Sequence, residues 1–243
     1  MKQSIAYKGM VVLAFFTLGF KPANIGNTLL LSAEIELSAQ RFIQKAESLY
    51  DFLCIEEEQL SKQAFFNAYL GYQVISTEGL IEKNNLLVVI DFSLSANEDR
   101  LFVIDVVNQL VIHRSLVSHG KNSGEEFATA FSNNEGSYMS SLGFYVTGEI
   151  YDGKHKISMK LYGLEPSVND NVYERGVVIH AADYVSKEFI KENGRLGRSL
   201  GCPALPHEGF QSLVELISEG VCLYIYHPSY SEQKSIWLKG FNS

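Results

Sequence analysis

His180 and Cys202 are the residue types in this chain best suited to nucleophilic chemistry. They lie in one segment, residues 175–206, which reads RGVVIHAADYVSKEFIKENGRLGRSLGCPALP. A thiol becomes a nucleophile when a base or a positive environment stabilises its thiolate. His180 ends an apolar run at residues 177–179, and Cys202 follows Gly201 on a loop rich in Gly and Arg. We therefore predict Cys202 as a nucleophile and His180 as its general base.

The loop before Cys202 also carries positive charge and backbone donors. Arg195 and Arg198 can lower the pKa of the thiol or bind a substrate carboxylate. Gly201 permits a tight turn and close approach of a substrate. Pro203 has no N–H, so an oxyanion hole would take its local donors from Cys202, Gly201 or residues upstream. We expect at least one of the two arginines to lie beside a thiol whose pKa is below its ordinary value.

The elements that must position this segment change type near residue 86. Apolar residues recur at helical spacing over residues 38–72, which predicts helices. Beyond them, short β-rich runs alternate with turn residues, among them Asp152-Gly153. The predicted strands are residues 86–92, 101–106, 110–117, 144–151, 157–162, 177–180 and 221–226, with short helices near 184–192 and 210–218. This pattern predicts an α+β, mostly β fold, a β-sandwich or a curled mixed sheet with an N-terminal helical segment, and not a βαβ repeat.

Composition and charge narrow the class of protein. The chain has 243 residues, of which 46% are hydrophobic, so it can bury one sizeable core. Its formal net charge is −8 and it has no Lys/Arg cluster, which argues against a nucleic-acid partner. An anionic substrate would have to be bound by a few local Arg or Lys residues.

The first 25 residues are typical of a signal peptide or an N-terminal anchor. Lys2 and Lys8 form a positive region, and residues 9–20 are a run of twelve uncharged, mostly apolar residues. This run is too short to cross a bilayer comfortably. A buried core helix is the alternative, and cleavage of the leader is left open. We divide the chain into this leader at 1–25, a helical segment at 30–80 and a catalytic domain at 84–243.

Further motifs add a family resemblance to the His and Cys pair. His180 is followed by SLGC at residues 199–202, and the chain also contains HGKNSG at 119–124, SSLGFYVTGE at 140–149, YGLEPSVNDN at 162–171 and GRLGRSLGCPALP at 194–206. Together these motifs resemble the murein L,D-transpeptidase catalytic domain proteins, a subgroup of the YkuD-type L,D-transpeptidases. The resemblance covers about residues 86–206.

The resemblance implies a fold, a site and a reaction. It implies a YkuD-like catalytic domain in the bacterial cell envelope, acting on peptidoglycan stem peptides without cofactor or metal. A Cys thiolate attacks the carbonyl of an L-centre, a D-amino acid leaves, and an amine or water resolves the thioester. The backbone carbonyl after the His, here Ala181, orients the imidazole. The expected catalytic residues are Cys202, His180, Ala181 and Gly201, and the expected substrate-binding residues are Arg198, Ser199, Arg195 and His119.

Three positions depart from the family pattern. Ala181 stands where Gly usually follows the His, and a methyl group there does not suit a backbone that needs a positive φ. Ala204 stands where many members have Arg or Asn, so Arg198 would supply the positive group. Lys156 follows His155 where the subgroup tends to have Gly.

Several alternatives remain open from the sequence. The same Cys and His could serve an L,D-carboxypeptidase or amidase that uses water as acceptor, and a non-catalytic envelope binding protein is a third reading. A disulfide between Cys202 and Cys222 would favour the binding protein, whereas a bridge from Cys54 to Cys222 would leave Cys202 free. The spacing of His119, His155 and His180 follows no zinc-site pattern.

Overall fold

The computed structural model describes residues 25–53, 60–154, 156–230, 235–239 and 241, with side chains described from Leu37 onward. Two compact units are present, Met1–Ser38 and Ala39–Ser243. Of the first unit, only the backbone of residues 25–38 is described, with the side chains of its last two residues. The predicted leader at residues 1–25 lies outside the described residues except for the backbone of Ile25. Cys54 and His155 also lie outside them. Within the described part of the chain, no helix is both long enough and apolar enough to cross a bilayer.

The regular elements follow the sequence prediction closely. Helices α1 and α2 precede the first strand, and α3 and α4 flank the seventh. Their bounds are α1 Ile25–Phe52, α2 Lys62–Thr77, β1 Leu86–Asp91, β2 Leu101–Asp105, β3 Leu110–Ser115, β4 Gly143–Gly153, β5 Lys156–Gly163, β6 Val178–Ala181, α3 Lys187–Asn193, β7 Ala204–Leu205, α4 Phe210–Ile217 and β8 Cys222–Tyr226. The short strand β7 is the one element of this set that the sequence did not predict.

The strands form one mixed eight-stranded sheet in the order β3-β2-β1-β8-β4-β5-β6-β7. Pairing is parallel between β1 and β8 and between β6 and β7, and antiparallel elsewhere. Strands β1 and β8, which lie near the middle of this order, are buried along their whole length, which explains their unbroken apolar sequences. This sheet confirms the predicted α+β, mostly β fold.

Helix α2 covers the centre of the sheet. Its first residue follows Ser61, whose hydroxyl accepts a hydrogen bond from the Ala64 N–H at 3.2 Å and thus caps the helix. The Ser61 N–H in turn donates to the Asp91 carboxylate at the end of β1, at 3.2 Å. The buried face of the helix, including Phe65, contacts β1 and β8. Helix α2 is therefore part of the same core as the sheet.

The hairpin between β4 and β5 turns later than the sequence suggested. Asp152 and Gly153 still belong to β4 and pair with Ile157 and Lys156. Lys156 has a φ of 63°, the left-handed conformation that glycine adopts without steric cost. This backbone explains why glycine suits the position that Lys156 occupies here.

Candidate functional site

His180 and Cys202 line the same cavity, which has a volume of about 440 Å³. Its wall is formed by the loop before β4, the turn after β4, the turn before β6, β6 itself and the loop between β6 and β7. The lining residues are Gly136, Tyr138, Lys154, Arg175, Gly176, Val177, His180, Tyr184, Arg198, Ser199, Leu200 and Cys202. The folded chain thus brings together two residues that are separated by 22 positions.

Strand β6 gives His180 a rigid mount. It is buried throughout and lies between β5 and β7, with His180 opposite Ser158 on one side and Ala204 on the other. The imidazole Nδ1 lies 2.9 Å from the backbone oxygen of Ala181. A carbonyl oxygen can only accept, so Nδ1 carries the proton and, in the neutral ring, the lone pair is on Nε2. This tautomer leaves Nε2 able to accept a proton.

The methyl group of Ala181 fits the strand. Ala181 lies at the end of β6, where it pairs with Leu205 of β7. Its backbone is extended rather than left-handed. Alanine therefore satisfies the conformation at this position although glycine is usual there in the family resembled.

The loop that carries Cys202 is held by the side chain of Ser199. Its hydroxyl accepts from the Gly201 N–H at 3.0 Å and donates to the Cys202 carbonyl at 2.6 Å. Gly201 has a φ of 128°, and a Cβ there would lie 2.9 Å from the Met139 carbonyl oxygen. Because the loop needs both this backbone and this close approach, only glycine fits without strain. The Gly201 N–H is already engaged, so it is not a free oxyanion donor in this conformation.

Cys202 is a free, half-buried thiol beside the start of β6. Its Sγ lies 3.5 Å from the Val178 N and 3.8 Å from the Gly176 O. Burial raises the pKa of the Cys202 thiol, and this effect exceeds the opposing contributions of the Val178 N–H and of Arg175. The expectation of a pKa below the ordinary value is therefore wrong, because desolvation outweighs the nearby positive charge. At neutral pH the resting residue is a thiol, and attack requires a base.

The guanidinium that acts on Cys202 belongs to Arg175, which the sequence analysis missed. Arg175 lines the cavity, and its charge opposes the rise in the thiol pKa. Its Nη1 donates to the Ser132 O at 2.8 Å and to the Ser141 hydroxyl at 2.5 Å, and its Nη2 donates to the Met139 O at 2.7 Å. Arg175 thus holds in place the loop that contains Met139, against which Gly201 packs. In the sequence it is an isolated Arg before an apolar strand, with no spacing signal to distinguish it.

Arg195 and Arg198 are both bound to Glu125. Arg195 Nε lies 2.9 Å from Oε2 of Glu125, and Arg198 Nη1 lies 2.8 Å from Oε1. Arg198 Nη1 also donates to the carbonyls of Lys121 and Gly124. Arg198 lines the cavity, whereas Arg195 is outside the lining and contacts Glu125 and Leu196 instead. Arg195 is therefore not one of the residues that line this cavity.

His119 is a buried structural residue and not a cavity residue. Its side chain is fully buried, with Nδ1 2.8 Å from Arg100 Nη2 and Nε2 3.3 Å from the Gly124 O. An arginine can only donate, so Nδ1 accepts and His119 is neutral. Burial, followed by the positive charge of Arg100, lowers the pKa of His119 to about 4. The expected substrate contact by His119 is therefore corrected, because solvent and substrate do not reach this ring.

Cys202 and Cys222 are both free thiols. Cys222 is a free thiol buried in β8, so no disulfide joins it to Cys202. This removes the feature that would have favoured a non-catalytic binding protein. Among the described residues, no three His, Cys, Asp or Glu side chains are grouped to hold a metal ion.

A model of a known protein family matches most of this chain. The family model described as the L,D-transpeptidase catalytic domain matches residues 56–226. The chain belongs to this family. The match begins before α2 and ends with β8, so it includes the whole cavity described above. Members of the L,D-transpeptidase family act on peptidoglycan in the cell envelope.

Two solved structures that are similar to this chain are distant from it in sequence. An L,D-transpeptidase from Mycobacterium smegmatis is 13% identical with a TM-score of 0.38, and the match covers 59% of each chain. The helical cell shape determining protein Pgp2 from Campylobacter jejuni, as its K307A mutant, is 12% identical with a TM-score of 0.39, over 72% of this chain and 60% of that one. The chain thus spans about three-fifths of the length of these solved relatives. No curated protein sequence matches it.

Proposed function

We propose that this domain is a cysteine acyltransferase that acts on peptidoglycan stem peptides, with Cys202 as nucleophile and His180 as general base. The observation that carries the proposal is that these two side chains line one cavity while the Ala181 carbonyl holds the imidazole in the tautomer a base requires. The family match over residues 56–226 supports the reaction class. We also propose export to the envelope, on the basis of the leader at residues 1–25. The proposed catalytic domain is residues 84–243, against which helix α2 packs.

Proton transfer to His180 is the first step of this reaction. Burial keeps Cys202 protonated at neutral pH, so its proton passes to His180 Nε2 as the sulfur attacks the substrate carbonyl. The Val178 N–H and the charge of Arg175 stabilise the sulfur as it becomes negative. The same proton then moves to the leaving amine as the C–N bond breaks, which leaves a thioester on Cys202. An amine or a water molecule resolves the thioester.

The charge of the cavity suits an anionic peptide. Lys154, Arg175 and Arg198 line it, although the chain as a whole carries a net charge of −8. Stem peptides carry free carboxylates, which local cations can bind. Arg198 is partly committed to Glu125, so we expect Arg175 and Lys154 to supply most of the attraction.

The test is incubation of the full chain with a stem tetrapeptide and an amine acceptor. We expect an acyl adduct on Cys202 in the intact-protein mass spectrum, together with release of one D-amino acid. Cys202→Ala and His180→Ala should each remove nearly all turnover, and the double variant should be little worse than either. Cys222→Ala is the matched control, because it removes a thiol from β8 and not from the cavity.

The products separate the remaining alternatives. Transfer to the added amine identifies a transpeptidase, whereas a truncated peptide with a free carboxylate identifies a carboxypeptidase or amidase. Binding of the peptide without adduct or turnover would identify a binding protein. Full activity in Cys202→Ala would refute the proposal.

A further inference from the structure

Three tyrosines form an ordered surface beside the cavity, and the acyl-transfer reaction does not use them. We define Tyr151, Tyr162 and Tyr173 as the tyrosine platform. The rings of Tyr162 and Tyr173 are stacked, with centroids 5.6 Å apart and an angle of 13° between their planes. Tyr173 is 51% exposed, which is unusual for an aromatic ring held in a fixed stack.

A single ion pair fixes the platform. The Lys160 ammonium lies 5.7 Å from the centre of the Tyr151 ring and 5.5 Å from that of Tyr173. It also contacts Glu149 at 2.7 Å, and the Tyr162 hydroxyl donates to the other oxygen of Glu149 at 2.9 Å. The ion pair of Lys160 and Glu149 has no net charge, and both side chains are partly exposed. The rings are therefore positioned before any ligand binds, which reduces the entropy cost of binding.

The platform adjoins the cavity at two points. The Gly176 N–H donates to the Tyr173 carbonyl at 3.1 Å, and Gly176 lines the cavity. On the β4–β5 hairpin, the Tyr151 ring lies against Gly153, where a Cβ would meet it at 2.6 Å, and the next residue, Lys154, also lines the cavity. Chain neighbours of Tyr151 and Tyr173 thus line the cavity.

We infer that the tyrosine platform binds an N-acetylated amino-sugar strand, the part of the substrate to which a stem peptide is attached. A pyranose ring has one face of C–H groups, which pack on aromatic rings, and an edge of hydroxyl and amide groups, which Glu149 and Lys160 can hydrogen-bond. The cavity is lined by cations and suits peptide carboxylates, whereas the platform is neutral and suits an uncharged, polyhydroxylated chain. This inference rests on the proposed function for the identity of the substrate.

The test measures sugar binding without turnover. The full chain carrying Cys202→Ala is titrated with soluble N-acetylglucosamine oligomers, and the affinity is measured by calorimetry. Adding Tyr173→Ala should weaken binding about fivefold to tenfold, as expected for the loss of one stacking ring. Tyr173→Phe keeps the ring and should bind as the parent does. Phe127→Ala is the matched control, because Phe127 is also 51% exposed but lies beside Gly124.

The outcomes keep this inference separate from the proposed function. No binding of the oligomers by the parent chain, or equal binding by the parent and Tyr173→Ala, overturns the platform even if stem peptides are turned over. Equal losses in Tyr173→Ala and Phe127→Ala also overturn it, since they indicate nonspecific contact. Binding that depends on Tyr173 in the Cys202→Ala chain, together with no acylation of the chain that retains Cys202, supports the platform and refutes only the acyl transfer.

Discussion

Acidification should destabilise the fold through His119, a residue that does not touch the cavity. The ring is neutral because Arg100 donates to its Nδ1, and burial with this charge lowers the pKa of His119 to about 4 from the ordinary 6.5. The unfolded chain therefore binds a proton more tightly than the folded chain does. Stability is complete above about pH 6.5 and is lost as the pH falls from there toward about 4.

The size of the effect follows from the difference between the two pKa values. The largest loss is reached when His119 is protonated in the unfolded chain but not in the folded chain. This loss is about 3 kcal/mol of unfolding free energy. At about pH 5.5 the loss should be about 1.4 kcal/mol. His119→Asn removes the titration and keeps an acceptor near Arg100. Its free energy of unfolding should be lower than that of the parent at neutral pH, but it should change less between about pH 7.5 and 5.5.

The assay is urea unfolding followed by tryptophan fluorescence and circular dichroism at the two pH values. Carboxylates titrate in the same range in both proteins, so the difference between parent and His119→Asn isolates the histidine. Parallel pH profiles for the two proteins would refute this account of His119. The backbone oxygen of His119 also accepts from the Ser199 N–H at 3.0 Å, so acid should disturb the Cys202 loop before global unfolding.

Four further predictions concern the cavity directly. Alkylation of Cys202 should show a pH midpoint above the ~8.5 of free cysteine, because burial raises its pKa, and a midpoint below that value in a pH series of alkylation rates would contradict this. Arg175→Met should move that midpoint still higher, while Arg175→Lys should restore part of the shift. Gly201→Ala should cost about 1–3 kcal/mol in unfolding free energy and lower kcat more than it raises KM, since its φ of 128° is strained for alanine. Ser199→Ala frees the Gly201 N–H and the Cys202 carbonyl, so turnover should fall while the melting temperature changes by only a few degrees.

The strands could be predicted from the sequence because their residue types reflect how deeply they are buried. Strands β1 and β8 are continuous apolar runs, as expected for strands buried on both faces. Strand β7 was not predicted because its two residues, Ala204 and Leu205, are too few to show a periodicity. Only their pairing with β6 makes them a strand. The pair His180 and Cys202 could be found because a strand-end His and a glycine-flanked Cys are local features.

The charges around the pair could not be assigned from sequence. The sequence predicts that Arg195 and Arg198 are available to a substrate, but in the folded chain both form ion pairs with Glu125. His119 looked like a site residue until Arg100, which is itself fully buried, donated to it. Arg175 acquires its role only through the carbonyls of Ser132 and Met139, which are distant in the chain. Each of these outcomes depends on contacts between segments, which spacing along one segment does not record.

The parallel pairing of β6 with β7 has a consequence for how the chain tolerates change. His180 lies directly opposite Ala204, two residues after Cys202, so backbone hydrogen bonds set the separation of the two side chains. The intervening crossover contains α3, which has no buried residue and ends at Gly194 in a left-handed cap. Insertions within α3, or new chain termini placed there by circular permutation, should therefore leave the spacing of His180 and Cys202 intact. The crossover is thus a place where a tag, a probe or an additional domain could be grafted onto this scaffold.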